Sequence, residues 1–165
     1  LFNSNNGMVY DNIDSNTGEI KKEWIFTYNQ GTFIGSAVEL YKILNEKAYL
    51  NDAVLAADYT ISSLVDNSIL KSEGDGDGGL FKGIFVRYFT DLIQQDRLDI
   101  AAKKRYIQFL KHNAETLWEE GTNKTSVFFG TDWRTKPGAS TGLTEQLSGC
   151  MLIEAIALLE DKELL

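Results

Sequence analysis

The sequence predicts an all-α protein in which αα-hairpins are arranged as a toroid. Five segments of the 165-residue chain repeat apolar residues at the period of an amphipathic helix. Long polar loops precede the first, third and fifth segments, whereas short connections join the members of the first two pairs. Such loops gather at one end when inner helices surround a common axis and outer helices cover them, so this alternation favours an α/α toroid.

The first 26 residues predict an ordered loop rather than a domain of their own. They are rich in Asn, Gly and Asp, which favour turns. Residues 7–11 suggest a short extended piece, and residues 14–18, with the sequence Asp-Ser-Asn-Thr-Gly, have the composition of a tight turn.

The first predicted hairpin consists of helices over residues 28–44 and 49–64. The apolar residues of its first helix fall on one broad stripe, made of Phe33, Ile34, Ala37, Val38, Leu40, Tyr41 and Leu44. Its second helix carries a similar stripe and ends near Asp66 and Asn67.

The second predicted hairpin consists of helices over residues 81–93 and about 98–119, and its first helix has the cleanest apolar periodicity in the chain. The Gly-rich and Asp-rich segment 74–79 precedes it. An EF-hand calcium loop starting there would need Gly and Glu where the sequence has Leu80 and Val86. We therefore expect a flexible acidic loop at this place.

A long loop over residues 121–142 and a final helix over residues 143–160 complete the chain. The chain thus holds two hairpins and one unpaired helix, whereas a closed ring of six hairpins needs roughly twice this length. We expect residues 1–165 to form a single domain that is half of a larger barrel. A preceding segment would cover its apolar flank, or the flank would self-associate.

The composition disfavours several classes of function. A net charge of −8 and a pI near 4.7 argue against nucleic acid, because phosphate backbones require concentrated Lys and Arg. The single cysteine, Cys150, cannot form an intrachain disulfide, and the single histidine, His112, gives little basis for a zinc site or a Ser-His nucleophile. No apolar run approaches the ~20 residues of a membrane-spanning helix. We expect no metal, cofactor, nucleic-acid partner or membrane span.

Polar residues at the starts of the inner helices form the candidate binding site. A helix start leaves backbone N–H groups unpaired, so hydroxyl-rich or anionic ligands can be held there. Residues 27–31 read Thr-Tyr-Asn-Gln-Gly, and we expect Tyr28, Asn29 and Gln30 to offer a ring for stacking and amides for sugar hydroxyls. Helix capping with ordinary packing is the alternative, since Thr27 alone fits the cap.

Four further residues complete the predicted site. Asp77 can accept hydrogen bonds from a sugar diol or serve only as a turn residue. Lys82 lies at a helix start, where it is a candidate ligand or a surface lysine. Gln146 repeats the position of Gln30. Trp133 lies in the longest loop, where its indole can form a sugar platform or pin the loop by burial.

These motifs together resemble glycoside hydrolase family 76, the α-1,6-mannanases with an (α/α)6 barrel. The resemblance rests on residues 27–31, on Phe-Lys-Gly-Ile-Phe-Val-Arg-Tyr at residues 81–88 with Asp77 four residues ahead, and on Gln-Leu-Ser-Gly at residues 146–149. It spans nearly the whole chain. It implies a retaining, endo-acting hydrolase that cuts α-1,6-linked mannose chains, and it favours an extracellular or cell-surface location.

The sequence departs from this family at the catalytic residues. The resemblance implies two consecutive aspartates, a nucleophile and an acid/base, in the N-terminal half of the barrel. This chain contains no Asp-Asp pair. We therefore expect residues 1–165 to be the C-terminal half of the catalytic domain, with a substrate-binding wall for mannose-containing saccharides and no catalytic residue. The N-terminal half of the same protein would complete the barrel.

Two other functions are compatible with the sequence. One is a non-catalytic carbohydrate-binding or scaffolding helical repeat, in which the polar helix starts hold a glycan or a peptide. The other is a different (α/α)6 enzyme, such as a sugar epimerase. Such enzymes normally show several catalytic histidines, so the single histidine of this chain, His112, disfavours this function. Adjacent aspartates ahead of Leu1 would support the hydrolase over the binding module.

Overall fold

Five α-helices and two small β-hairpins make up the protein in a computed structural model, which describes residues 1–165. The helices are α1 (Thr27–Leu44), α2 (Lys47–Ser63), α3 (Asp77–Ile93), α4 (Ile100–Glu119) and α5 (Leu143–Asp161). The strands β1 (Val65–Asp66) and β2 (Ile69–Leu70) pair antiparallel, as do β3 (Thr122–Asn123) and β4 (Phe128–Phe129). The predicted all-α class is confirmed. None of these helices combines the length and apolar character needed to cross a membrane.

Helices α1 and α3 run side by side in the same direction. Gly31 of α1 lies against the backbone of Phe85, and Gly35, one turn later, lies against the ring of Tyr88. A Cβ atom on Gly31 would come within 2.6 Å of the Cα atom of Phe85, so only glycine permits this approach.

Helices α3 and α5 form the next parallel pair. Gly79 of α3 lies against the side chain of Glu145, and Gly83, one turn later, lies against Ser148 of α5. Because the contacts advance together along both chains, the starts of α1, α3 and α5 share one end of the bundle. This is the arrangement that the predicted toroid requires.

Helices α2 and α4 form the outer layer. Helix α2 packs against α1, and α4 packs against α5 and α3. An aromatic group fills the core between the layers: the ring centroid of Phe89 lies 4.9 Å from that of Phe85 and 4.8 Å from that of Tyr106. The Tyr106 hydroxyl donates a hydrogen bond of 2.7 Å to Asp58 of α2, which joins the two outer helices.

Glutamines at equivalent positions of α1 and α5 hold the backbone that precedes each helix. The amide of Gln30 accepts from the N–H of Val9 at 3.0 Å and donates to its carbonyl at 2.7 Å. The amide of Gln146 accepts from the N–H of Phe129 at 3.1 Å and donates to the carbonyl of Val127 at 3.1 Å. We call these paired bonds amide clamps. The predicted equivalence of the two glutamines is therefore visible as a shared structural role.

A third amide clamp holds the hairpin of β1 and β2. Asn113 of α4 accepts from the N–H of Leu70 at 2.9 Å and donates to the carbonyl of Ser68 at 3.0 Å. Asn67 and Ser68 both have positive φ angles, of 51° and 65°, as a tight two-residue hairpin turn requires. A short β-structured segment thus precedes each inner helix.

The structure differs from the sequence prediction at the start of α3. This helix begins at Asp77 rather than Phe81, and it includes Gly78 and Gly79. The Cβ atom that any other residue would carry at Gly79 would lie 2.7 Å from Oε1 of Glu145. These glycines allow close helix packing and do not mark a flexible loop, so Asp77 is a helical residue and not a turn residue.

Candidate functional site

A polar cleft of about 920 Å³ opens at the shared end of the inner helices. Its walls come from the segment before α3, the segment before α5, and the first turn of α5. Only one of its 17 lining residues, Leu143, is hydrophobic. The volume is typical of a site for small molecules, and the polar lining suits a hydroxyl-rich ligand better than an apolar one.

Three carboxylates line this cleft, and two of them are already paired. Asp75 accepts a hydrogen bond of 2.9 Å from the hydroxyl of Thr131. Asp132 accepts two bonds, of 3.0 and 2.9 Å, from the guanidinium of Arg134. Hydrogen bonding by Arg134 holds the pKa of Asp132 below its ordinary value, so this carboxylate stays charged. The third carboxylate belongs to Glu145.

Glu145 is the third residue of α5 and is only 4% exposed. The hydroxyl of Thr144 donates to its Oε2 at 3.1 Å, and its Oε1 receives no hydrogen bond. No group of three or more His, Cys, Asp or Glu side chains in the structure is placed to hold a metal ion.

Lys82 lies beneath the wall of the cleft and not on the surface. It is 1% exposed, and its Nζ donates to the carbonyl of Thr131 at 2.5 Å and lies 4.5 Å from the ring centroid of Trp133. Burial lowers the pKa of Lys82 to about 8, although Asp132 and Glu73 favour its charged form. Lys82 therefore supports the loop that forms the wall.

Two more of the predicted ligands are fully buried and engaged within the protein. Trp133 is 0% exposed, so it presents no face on which a sugar ring can stack, and it pins the loop by burial instead. Gln30 is also 0% exposed, because its amide satisfies the backbone of Val9. Gln146 is half-buried, and its amide holds the backbone around Phe129.

A second polar cluster lies at the start of α1. The hydroxyl of Tyr28 and, at 3.2 Å, the Nδ2 of Asn29 both donate to Oδ1 of Asp11, and Asn12 donates to its Oδ2. Burial raises the pKa of Asp11, but these hydrogen bonds outweigh burial and keep that pKa below its ordinary value. The ring of Tyr28 packs on Phe81 of α3 at a centroid distance of 4.4 Å.

Glu73 connects this cluster to the support of the cleft. Its carboxylate accepts from the N–H of Thr27 at 2.8 Å and from the Thr27 hydroxyl, and so it satisfies the first free N–H of α1. Burial raises the pKa of Glu73, while the bonds from Thr27 and the nearby charge of Lys82 oppose that rise. Glu73 thus ties the start of α1 to the segment that precedes α3.

None of the seven predicted residues lines the cleft itself. The cleft carboxylates Asp75, Asp132 and Glu145 are instead close neighbours in sequence of Asp77, Trp133 and Gln146. Glu145 carried a signal, since it opens the Glu-Gln-Leu-Ser-Gly motif at a helix start. The sequence around Asp11 contains no such signal, because its hydrogen-bond partners on α1 lie 17 and 18 residues away.

The chain is similar to one family of known proteins and to several solved structures. The model of glycosyl hydrolase family 76 matches residues 1–165. No curated protein matches the chain. Among solved structures, an α-1,6-mannanase from Salegentibacter sp. HEL1_6 is 44% identical with a TM-score of 0.92, over 96% of this chain and 48% of that chain. A protein from Listeria innocua is 39% identical with a TM-score of 0.88, over 98% of this chain and 45% of that chain.

A further structure shows an inactive variant of the Salegentibacter mannanase, with two consecutive aspartates replaced by alanine, in complex with α-1,6-mannotetrose. It is also 44% identical, with a TM-score of 0.92, over 96% of this chain and 48% of that chain. The present chain therefore spans about half the length of these structures. Its αα-hairpins form part of the same (α/α)6 barrel. The resemblance seen in the helix-start motifs is confirmed, and the chain belongs to glycosyl hydrolase family 76.

Proposed function

We propose that this chain is part of a glycoside hydrolase that cleaves α-1,6-linked mannan with retention of configuration, and that it supplies a substrate-binding wall. The main support is its 44% identity to an α-1,6-mannanase over 96% of its length. The polar cleft adds to this, because carboxylates, threonine hydroxyls and glycine backbone are the groups that bind sugar hydroxyls.

The catalytic pair is proposed to lie outside this chain. Retaining glycosidases use two carboxyl groups about 5–5.5 Å apart, one as nucleophile and one as acid/base. The present sequence has no consecutive aspartates, whereas a related mannanase is inactive when two consecutive aspartates are replaced. We propose that a preceding half of the same protein carries the pair and completes the barrel.

Among the residues predicted from the sequence, Asp77 and Tyr28 are proposed to contact the sugar. Asp77 is exposed at the start of α3, and Tyr28 is half-buried beside Asp11. Asn29 orients the carboxylate of Asp11. The buried residues Gln30, Lys82 and Trp133 and the half-buried Gln146 are proposed to position the backbone around the site and not to bind sugar directly.

The proposal is tested by assaying the protein that contains this chain on α-1,6-mannan. We expect release of reducing sugar, with the α-anomer appearing first in a proton NMR time course. Residues 1–165 alone are expected to give no detectable cleavage, because they lack the aspartate pair. Cleavage by residues 1–165 alone would contradict the assignment of the catalytic groups.

A non-catalytic role in carbohydrate binding or scaffolding is the second candidate, and the missing aspartate pair is the observation that favours it. The same assay separates the two candidates. Binding of α-1,6-mannotetraose without cleavage by the whole protein would establish the binding module. Failure of the whole protein either to bind or to cleave would exclude both.

A further inference from the structure

Glu145 is the one buried carboxylate of the cleft, and it has no cationic partner. Asp75 is exposed to solvent and also accepts from Thr131, and Asp132 is paired with the guanidinium of Arg134. Glu145 is only 4% exposed, yet its carboxylate accepts a hydrogen bond only from the hydroxyl of its sequence neighbour, Thr144. Burying a charged group without hydrogen-bond donors or an opposite charge costs free energy, and a ligand that donates hydrogen bonds to Glu145 would offset this cost.

Glu145 lines the cleft, and its unpaired oxygen is not sealed in the core. Glu145 is among the residues that line the cleft. The sealed and unpaired side-chain atoms of the protein are Oδ1 of Asn29, Nε1 of Trp133 and Oγ of Ser148. Oε1 of Glu145 is not one of them, and it therefore keeps surface that a ligand in the cleft can reach.

Helix capping does not account for Glu145. A glutamate at the third position of a helix commonly accepts from the N–H of the residue just before the helix. Here that residue is Gly142, whereas the hydrogen bond to the Glu145 carboxylate comes from the hydroxyl of Thr144. The side chain remains free for another role.

Two glycines fix the position of this carboxylate. A Cβ atom at Gly142 would overlap Oε2 of Glu145, and a Cβ atom at Gly79 of α3 would lie 2.7 Å from Oε1. The carboxylate therefore occupies space that only glycine leaves free, at the junction of two inner helices. A group held in this way loses little freedom on binding, which favours affinity.

A neutral polyhydroxylated ligand fits this carboxylate better than a metal ion. No group of three or more His, Cys, Asp or Glu side chains around this cleft is placed to hold a metal ion. A carboxylate accepts hydrogen bonds from neighbouring hydroxyls through its two oxygens. Adjacent hydroxyls of a pyranose provide that pair of donors.

We propose that Glu145 is a substrate-binding residue that accepts hydrogen bonds from neighbouring hydroxyls of one mannose unit, held in register by Gly79 and Gly142. This inference rests on the proposed mannan-degrading function. It assigns a specific contact on the side of the substrate that faces α3 and α5. It also explains why an otherwise uncompensated carboxylate is kept in the interior.

The first test is Glu145→Gln in the whole protein, with α-1,6-mannotetraose as the probe. We expect binding about 10- to 100-fold weaker by calorimetry, since hydrogen bonds to charged groups contribute about 1.5–3 kcal/mol. Unfolding temperature is expected to stay the same or rise, because a buried unpaired charge is removed. Glu160→Gln is the control, since Glu160 carries the same charge on the same helix and is exposed.

The second test asks whether the position of the carboxylate matters. Gly142 has an extended backbone with φ of −74° and ψ of 158°, which alanine adopts readily. Gly142→Ala is expected to weaken binding by a similar factor, because the added methyl displaces Glu145. In a Glu145→Ala background the methyl has room, and Gly142→Ala is expected to have little further effect on binding.

The outcomes separate the two proposals. If the whole protein binds mannotetraose and Glu145→Gln binds it equally well, the role of Glu145 is wrong and the mannan proposal stands. If Glu145→Gln lowers both binding and unfolding temperature, the residue has a structural role and the inference is overturned. If the unsubstituted protein does not bind mannotetraose, both proposals fail.

Discussion

Lys82 is a buried cation whose protonation is coupled to the stability of the fold. Burial lowers its pKa from 10.5 to about 8, while Asp132 and Glu73 favour the charged form and Arg134 opposes it. Between these two pKa values the unfolded chain binds the proton more tightly than the folded chain. Unfolding then takes up protons, so stability is expected to rise with pH across this interval.

Replacing Lys82 with methionine removes this titration while keeping most of the side-chain volume. We expect the difference in unfolding free energy between the unsubstituted protein and Lys82→Met to be constant below about pH 8. It should shift in favour of the unsubstituted protein as pH rises toward 10.5, by roughly 3 kcal/mol in all. Urea denaturation at several pH values between 7 and 10.5 measures this difference.

Because both proteins share the other lysines and tyrosines, their contributions to the pH dependence of the unfolding free energy cancel in the difference between the two proteins. Lys103→Met provides a further check, since Lys103 belongs to the outer helix α4 and does not enter the core. A stability difference for Lys82→Met that does not change with pH would show that Lys82 titrates normally.

At the scale of secondary-structure elements, the packing of α1 on α3 depends on the absence of a side chain at Gly31. A glycine in the middle of a helix is ordinarily less stable than alanine by about 0.5–1 kcal/mol. Here the added methyl would come within 2.6 Å of the Cα and 3.0 Å of the backbone N of Phe85, and backbone atoms do not yield easily.

Gly31→Ala is therefore expected to destabilise the protein by about 1–3 kcal/mol, which is the reverse of the usual effect of this substitution in a helix. Thermal unfolding measured beside Ser36→Ala, at an exposed position of the same helix, checks this expectation. An unfolding temperature for Gly31→Ala equal to or above that of the unsubstituted protein would mean that α1 and α3 are farther apart than described.

The helices were predictable from the sequence because their signal is local and repeated. The helix α3 shows the limit: its apolar period begins at Phe81, whereas its first turn consists of Asp77 and glycines that have no period. The contact that requires glycine at position 79 is made with Glu145 on another helix, which a local pattern does not contain. Both β-hairpins were missed for a related reason, since strands of two residues are too short to alternate.

The candidate site was predictable to the level of its location and only partly to the level of its residues. Polar side chains at helix starts lie at the end of the bundle where the cleft opens. Whether such a side chain faces a ligand or the backbone depends on distant partners, as with Gln30 and Val9 across 21 residues, or Lys82 and Thr131 across 49 residues. Glutamine at a helix start looks the same in sequence in either role.

At the scale of the whole molecule, part of the inner layer is apolar and uncovered. A groove of about 390 Å³ runs between α3 and α5, and Leu147 and Leu158 on its rim are each 40% exposed. Exposed apolar grooves of this kind favour association. This agrees with the proposal that another half of the barrel packs against the inner helices.

Residues 1–165 produced alone are expected to self-associate through this groove as concentration increases. The whole protein is not expected to associate through it. Replacing Leu147 and Leu158 together with serine should reduce the self-association, because it removes apolar area from the groove. Sedimentation velocity over a range of concentrations measures the effect. A monomer at every concentration would show that this surface needs no cover.

One wall of the cleft is built so that its outer part can vary. The N–H of Phe129 is held by Gln146, and the hydroxyl of Thr141 donates to the Phe129 carbonyl at 2.7 Å, so the two ends of the segment between them meet at its base. Such an Ω-loop can lengthen, shorten or change composition at its tip while the barrel keeps its shape. The shape of the cleft can therefore change within one loop, without any adjustment of the helices that carry it.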